Sequence, residues 1–417
     1  MHKVLAKIKS KYNSKFVLDS FSTLFIGLLI SFLSYLFNVL AAHRLPEESF
    51  GILSAVIGLI YIIQVPTMTI QTELTKSVAK ANQWDLKKIK SHAYRFFLIL
   101  GLVLSLSTII FSKQISVIVK IAPQYVSLIS IMILGSLLIP VGRGILLGMH
   151  KINTVNILNL LEASLKLILF LVALSLFDTT ASYPIIAFGL PTLIVSIVFI
   201  FFIRVKEDNK KKSNFKLNYK ALVSTFLAFL LFNLPFSYDI VLTAPSLRPG
   251  YAALALMSKI VYFGGILIIP VSVAYIAKEK KRDIQIKYLL GTIGIVFSLT
   301  AFITLVYYFA GDWLVPIVSG DKYLYVAPYT WIMGVGIVIY SLATVIINFL
   351  IVENRFFYIP VLLGIFVLQY VLYKNFNSEI SLVVRNQIIV FSLLFATSLI
   401  SLLYHLATYS AKNIKAV

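Results

Sequence analysis

The sequence predicts an all-α integral membrane protein with about twelve transmembrane helices, arranged as two six-helix lobes related by a pseudo-twofold axis along the membrane normal. Three observations carry that expectation. Hydrophobic residues fill 59% of the 417 positions and charged residues only 13%, with a mean hydropathy of +0.94, whereas soluble chains are about half apolar. The bilayer is therefore the solvent for most of this chain. Apolar runs close to the roughly 20 residues that a spanning helix needs recur from end to end, leaving no room for a large soluble domain. The second half also echoes the first at a shift of 201 residues: the turn before Phe50 falls on the turn before Tyr251, and Ile131 and Met132 fall on Ile332 and Met333. Six crossings are an even number, so two such copies share one orientation in the membrane and would place a cavity between them.

Taken in order, the first six spans read as roughly 18–42, 50–72, 93–112, 125–148, 154–177 and 183–203, and form an N-terminal lobe over 18–203. A basic segment, 1–17, precedes them. Its Ile8, Tyr12 and Phe16 recur every four residues among five lysines, a pattern suited to a short helix lying on anionic lipid or to a plain topogenic tail. The connector 204–220, RVKEDNKKKSNFKLNYK, carries seven basic and two acidic residues without apolar periodicity and reads as a solvated linker. The second six spans read as roughly 221–243, 251–277, 288–310, 325–352, 356–373 and 387–409, a C-terminal lobe over 221–409 followed by a short tail, 410–417. The longest external loops on this reading are 311–324 and 374–386.

Lys plus Arg number 37 against 16 Asp plus Glu, a net charge of +21. In a soluble protein that excess would suggest a nucleic-acid surface; here position decides otherwise. With the N-terminus inside, the inner segments hold 26 basic residues, the outer loops 7, and four (Arg95, Arg143, Lys166 and Lys259) lie within spans. Lys and Arg resist translocation, so both termini are expected in the cytoplasm of a multi-pass cell-membrane protein, with no nucleic-acid partner. The absence of cysteine excludes disulfides and metal–thiolate chemistry. No H-E-x-x-H, Walker A or G-x-S-x-G pattern occurs, and the external loops are too short to hold a catalytic domain. The expectation is a carrier, not an enzyme, with neither cofactor nor metal.

Ionisable residues inside spans cost about 2.5–3.5 kcal/mol each at mid-membrane unless they face a cavity or a partner. Arg143 lies near the inner end of the fourth span, while Glu162 and Lys166 are about 12 and 18 Å deep in the fifth. A hairpin of those two spans lets the three cluster, and Glu162 and Lys166 share a face at i,i+4. One reading has Glu162 neutralise one cation while Arg143 snorkels to the headgroups. The other offers the cluster's net positive charge to an anionic substrate. In the second lobe Asp239 and Lys259 fall at depths about 6 Å apart, so Asp239 is either an ion-coupling carboxylate or the partner of Lys259. The 201-residue shift places Asn38 on Asp239.

Three stretches carry a family resemblance. LPEESFG (Leu45 to Gly51) resembles the tight turn and acidic, Gly-containing start of the second helix in polysaccharide-export flippases of the multidrug/oligosaccharidyl-lipid/polysaccharide exporter superfamily. RGILLGM (Arg143 to Met149), followed by NILNLLEASLKLIL (Asn156 to Leu169), is similar to that family's Arg-Gly hairpin and following Glu, at Arg143 and Glu162. PGYAALALMSK (Pro249 to Lys259) is similar to its Gly-aromatic-small pattern, displaced by a residue or so. The resemblance implies flipping of a polyprenyl-pyrophosphate-linked oligosaccharide from the inner to the outer leaflet for surface polysaccharide biosynthesis. Its implied partners are the lipid-linked oligosaccharide, membrane lipids, and a glycan polymerase or glycosyltransferases. Two other classes stay open: a cation-coupled multidrug extruder of the same superfamily, and a non-transporting membrane scaffold, which would have no use for buried charges.

The topology has a direct test in a chain without cysteine. Lys211→Cys, in the connector, is expected to resist an impermeant thiol reagent applied to intact cells and to react once the membrane is opened; labelling from outside would reverse the orientation.

Overall fold

The computed structural model describes residues 14–80, 83–203, 219–266, 281–353 and 355–414, with 268–269, 272–273, 276 and 279 between them. The N-terminal segment through residue 13, the connector at 204–218 and the last three residues lie outside this description, and the expectations for them with it. Among the described residues all regular structure is helical. Nine helices are long and apolar enough to cross a membrane, and two shorter apolar ones cover Val223–Ser237 and Ile359–Asn375.

In chain order the helices are α1 (Ser14–Arg44), α2 (Glu47–Lys80), α3 (Gln83–Ile110), the short α4 (Ser112–Val119), α5 (Pro123–Gly148), α6 (Ile152–Leu176) and α7 (Ser182–Phe202). There follow α8 (Tyr219–Ser237), a single turn α9 (Asp239–Leu242), α10 (Arg248–Ile266), α11 (Arg282–Ser319), a 3-10 segment at Asp321–Val326, α12 (Ala327–Val352), α13 (Ile359–Asn375) and α14 (Ile380–Ile414).

Three expectations are corrected. The basic stretch 73–92 is not an open loop, because α2 runs to Lys80 and α3 begins at Gln83; charged residues that a spanning window rejects still extend a helix once it has emerged from the apolar layer. The external loop 311–324 is likewise mostly helix, since α11 continues to Ser319 and the 3-10 segment follows Gly320, whose φ of 100° suits glycine. The seventh span is not continuous over 221–243. Pro235 sits inside the last turn of α8, and the helix stops at Ser237 before Asp239 starts α9.

The chain forms two compact units, Met1–Leu45 with Ile63–Leu222, and Pro46–Ile62 with Val223–Val417. Helix α2 is thus divided between them after Ile62.

Within the first unit α5 is the central helix, packed against α3 and α7, while α6 packs on α7 and α1. Lipid offers no hydrophobic drive between helices, so small residues that allow close approach dominate such contacts. A Cβ added at Gly142 would lie 2.5 Å from the Phe199 Cβ, and one at Gly148 would lie 2.5 Å from the Val78 Cβ. The second unit repeats the plan, with α12 packed on α11 and α14. Gly135 in α5 closes on Thr192 and Leu193 of α7, and Gly336 in α12, 201 residues later, closes on Ile388 of α14. Outward faces carry bare apolar side chains such as Ile110, Phe201, Phe309 and Trp313, as a lipid-facing surface should.

Gly142→Ala is expected to lower the melting temperature of the purified protein in detergent, by an overpacking cost of about 1–3 kcal/mol. Gly27→Ala, where a Cβ meets nothing within 4 Å, is expected to leave it unchanged; equal effects at both positions would refute the packing account.

Candidate functional site

The first unit gathers its charges on three consecutive helices. Arg143 comes from α5, between the glycines that let α5 pack closely; Glu162 and Lys166 come from one face of α6, and Thr192 from α7 just after its internal Pro191. Glu162 is the hub. Its Oε2 accepts from Arg143 Nη2 at 2.8 Å, and its Oε1 accepts from Lys166 Nζ at 2.8 Å and from Thr192 Oγ1 at 3.0 Å. Arg143 Nε donates separately to Asn159 Oδ1 at 2.7 Å, and Lys166 Nζ rests 4.3 Å from the centre of the Phe188 ring. Phe37 packs against both Phe188 and Phe170, forming an apolar wall behind the lysine.

The three residues that the sequence singled out are therefore brought together, with one difference. Glu162 does not neutralise one cation and leave Arg143 to the headgroups; a carboxylate has enough lone pairs for both, and it holds both. The Glu162 side chain is 9% exposed, that of Lys166 15% and that of Arg143 27%. The triad keeps one excess positive charge and a surplus of donors. Arg143 uses two of a guanidinium's five donor hydrogens and Lys166 one of an ammonium's three.

In the second unit Asp239 and Lys259, whose pairing was one of the two readings, are not in ion-pair contact. Asp239, 5% exposed, accepts from Tyr251 Oη at 2.6 Å and from its neighbour Ile240 N–H at 2.7 Å. The break at Tyr238 turns the carboxylate toward the first turn of α10, and Lys259 lies eight residues, or roughly 12 Å, further along that helix. Lys259 Nζ instead sits 5.6 Å from the centre of the Tyr61 ring. Asn38, in the first unit, turns back on its own helix and donates to the Ser34 carbonyl at 2.8 Å.

Several residues escaped a search confined to charges within spans. Gln369 of α13 and Gln387 of α14, both fully buried, donate to the Pro235 carbonyl at 2.8 and 2.9 Å, where the end of α8 leaves an oxygen without a helical donor. Tyr373 donates to Gln387 Oε1 at 2.8 Å. The amides in FVLQYVL and VVRNQII were the available signal, since a polar side chain amid apolar ones requires a partner. Arg248, between the seventh and eighth spans read from the sequence, is 2% exposed and donates to the carbonyls of Thr243 at 3.1 Å and Val241 at 2.8 Å; no sequence signal marked it. At the ends of α11, α12 and α14, Glu353 pairs with Arg282 at 3.0 Å and meets His405 at 3.4 Å. Among the described residues no group of three His, Asp or Glu side chains is arranged to hold a metal.

With the helical plan and the charged triad in place, the solved structures supply a comparison. An inward-facing multidrug-resistance MATE transporter of the MOP superfamily matches with a TM-score of 0.72 over 92% of this chain and 96% of its own, at 14% identity. The lipid II flippase MurJ, in an inward closed conformation, matches with a TM-score of 0.71 over 94% and 87% of the two chains, also at 14% identity. The fold is that of the MOP-superfamily transporters. A MOP-superfamily transporter from Pyrococcus furiosus Vc1, described as having a binding pocket of reverse polarity, matches with a TM-score of 0.58 over 94% of each chain at 14% identity. No family model matches the sequence, and no curated protein does; at such identities the likeness speaks for the MOP fold alone.

Arg248→Met keeps the bulk and removes the donors to two buried carbonyls. Hydrogen bonds from a charged group are worth about 1.5–3 kcal/mol, so a melting temperature several degrees lower is expected for the purified variant, and an unchanged one would show that the guanidinium does not hold the α9–α10 turn.

Proposed function

We propose that this protein is a carrier, not an enzyme, which flips a polyprenyl-diphosphate-linked oligosaccharide from the inner to the outer leaflet of the cell membrane by alternating access, for surface polysaccharide biosynthesis. Arg143 and Lys166 bind the diphosphate, and Glu162 orients them. Both termini are cytoplasmic, membrane lipids surround the helices, and a glycan polymerase and glycosyltransferases act before and after it.

The observation that carries this reading is the excess positive charge and open donor set of the triad within an apolar helical layer. A diphosphate presents several acceptor oxygens and negative charge, the chemistry that such donors recognise. That one protein of the same fold is a lipid II flippase supports a lipid-linked substrate. An inside-negative potential favours outward movement of each negative charge by about 2.3 kcal/mol per 100 mV, so no further energy source is needed.

One observation favours a second reading, the cation-coupled multidrug extruder: Asp239 is a buried carboxylate with no cation in ion-pair contact among the described residues, and a protein of the same fold is a multidrug transporter. The two readings separate in proteoliposomes. Arg143→Ala and Lys166→Ala are each expected to slow flipping of a diphosphate-linked sugar by about 10–100-fold at equal protein level, the worth of a charge-assisted hydrogen bond, and collapsing the potential is expected to slow the wild type. Full flipping by both variants would remove the diphosphate role. A rate indifferent to the potential but abolished by Asp239→Asn would replace it with cation coupling.

A further inference from the structure

Resting on the diphosphate reading, we infer that binding of the anion at Arg143 and Lys166 is coupled to uptake of one proton by Glu162, because substrate and carboxylate compete for the same two cations.

Each cation has a second holder that does not depend on Glu162. Arg143 keeps its Nε hydrogen bond to Asn159 at 2.7 Å, and Lys166 keeps its seat 4.3 Å over the Phe188 ring. Both therefore stay in place when the carboxylate lets go, and Glu162 is the member of the triad that changes state. An incoming diphosphate takes the charge of both cations, and Glu162, 7% exposed, is then a buried carboxylate beside an anion. Burial of an unpaired charge and repulsion by a like one both favour the neutral acid. A proton given up by a buffer acid, whose conjugate base stays in solution, forms the O–H bond on a Glu162 oxygen; the two ion pairs to Glu162 are exchanged for two to the diphosphate.

Thr192 is placed to serve both states. With Glu162 ionised, its hydroxyl donates to Oε1 at 3.0 Å. With Glu162 protonated, the acid donates to Thr192 Oγ1, whose own hydrogen turns to the Phe188 carbonyl 3.5 Å away. Thr192 thus keeps a hydrogen bond with Glu162 in both states. Charge closes as well: the triad carries one net positive charge, and a diphosphate diester two negative ones, so one added proton brings the occupied site to neutrality.

The groups facing Glu162 are few. Arg143 approaches from α5, Lys166 from α6 itself and Thr192 from α7. Helix α1 also packs on α6; among its described side chains Tyr35 is the titratable one within the helix, and its hydroxyl bonds none of these groups, while His43 and Arg44 stand at the helix end.

Calorimetry on the purified full-length protein tests the linkage, using UDP-glucose as a free diphosphate diester and farnesyl-diphosphoryl glucose as a lipid-linked one, since neither gains a proton on its diphosphate near neutrality. Titration at pH 7 in two buffers with different heats of ionisation is expected to show about one proton taken up per ligand. Because the bound state holds the extra proton, affinity should fall about tenfold for each unit of pH rise. Glu162→Gln should bind more tightly, with less than about a twofold change per pH unit. Uptake with both ligands places the linkage on the shared diphosphate, as inferred; uptake with the lipid-linked ligand alone supports it for a membrane-borne source. Binding without proton uptake, and with the same pH profile in Glu162→Gln, overturns the exchange while leaving the diphosphate site standing. No binding of either ligand to either protein removes the site and the exchange together. The two-buffer titration needs the wild type alone, so it decides the matter even if Glu162→Gln does not fold.

Discussion

A polar group left without a partner inside a lipid-facing helical layer has no water to fall back on, and that cost governs the interior of this protein. Many hydroxyls within spans return to carbonyls of the preceding turn, as Thr300 does to Val296 and Ser398 to Leu394, while Thr69 and Ser341 find no partner among the described residues. The open carbonyl of Pro235 is met by two glutamine amides, and the turn before α10 is met by a buried arginine. At Glu162 the same rule gathers three helices around one carboxylate. Two of its donors are cations, so satisfying the hydrogen-bond rule creates an electrostatic site as a by-product.

The two units apply one packing plan to different chemistry. In each, a central helix, α5 or α12, approaches its neighbours closely at glycines, and the second helix after it, α7 or α14, packs against it. In the first unit the polar contacts across these helices are ionic, around Glu162. In the second the comparable helices meet through Gln369, Gln387 and Tyr373, which are neutral. A neutral amide network, even with Gln369 Oε1 left without a partner among the described residues, offers no net charge. An ion triad with surplus donors does offer charge, and the proposed function draws on this difference in placing its anion at the first unit.

The same contrast bears on energy. Net positive charge within a span is retained against a cost of a few kcal/mol per residue, and Glu162 reduces that cost while the site is empty. The carboxylate keeps Arg143 and Lys166 paired and partly neutralised; under the proposed function it would stand in for the substrate anion. Aromatic packing serves a related end, with Phe188 beneath Lys166 and Phe37 beneath Phe188, since an ordered cation loses less entropy when its ligand arrives.

The sequence by itself determined that the chain is helical and membrane-borne, because the bilayer imposes length and hydropathy on every span. It also put Glu162 and Lys166 on one face and Arg143 within reach across the hairpin, so that the three could cluster, because i,i+4 spacing and a tight hairpin are local geometry. It misjudged helix ends at 73–92 and 311–324, since helices outlast the apolar layer that a hydropathy window detects. Only the tertiary structure decided that Glu162 holds both cations, that Asp239 turns to Tyr251 and not to Lys259, and that Arg248 is buried. Those outcomes depend on where Pro235 breaks α8 and on how closely glycines let α5 and α12 approach their neighbours, distances set by packing between segments far apart in the chain, to which residue spacing along one helix is blind.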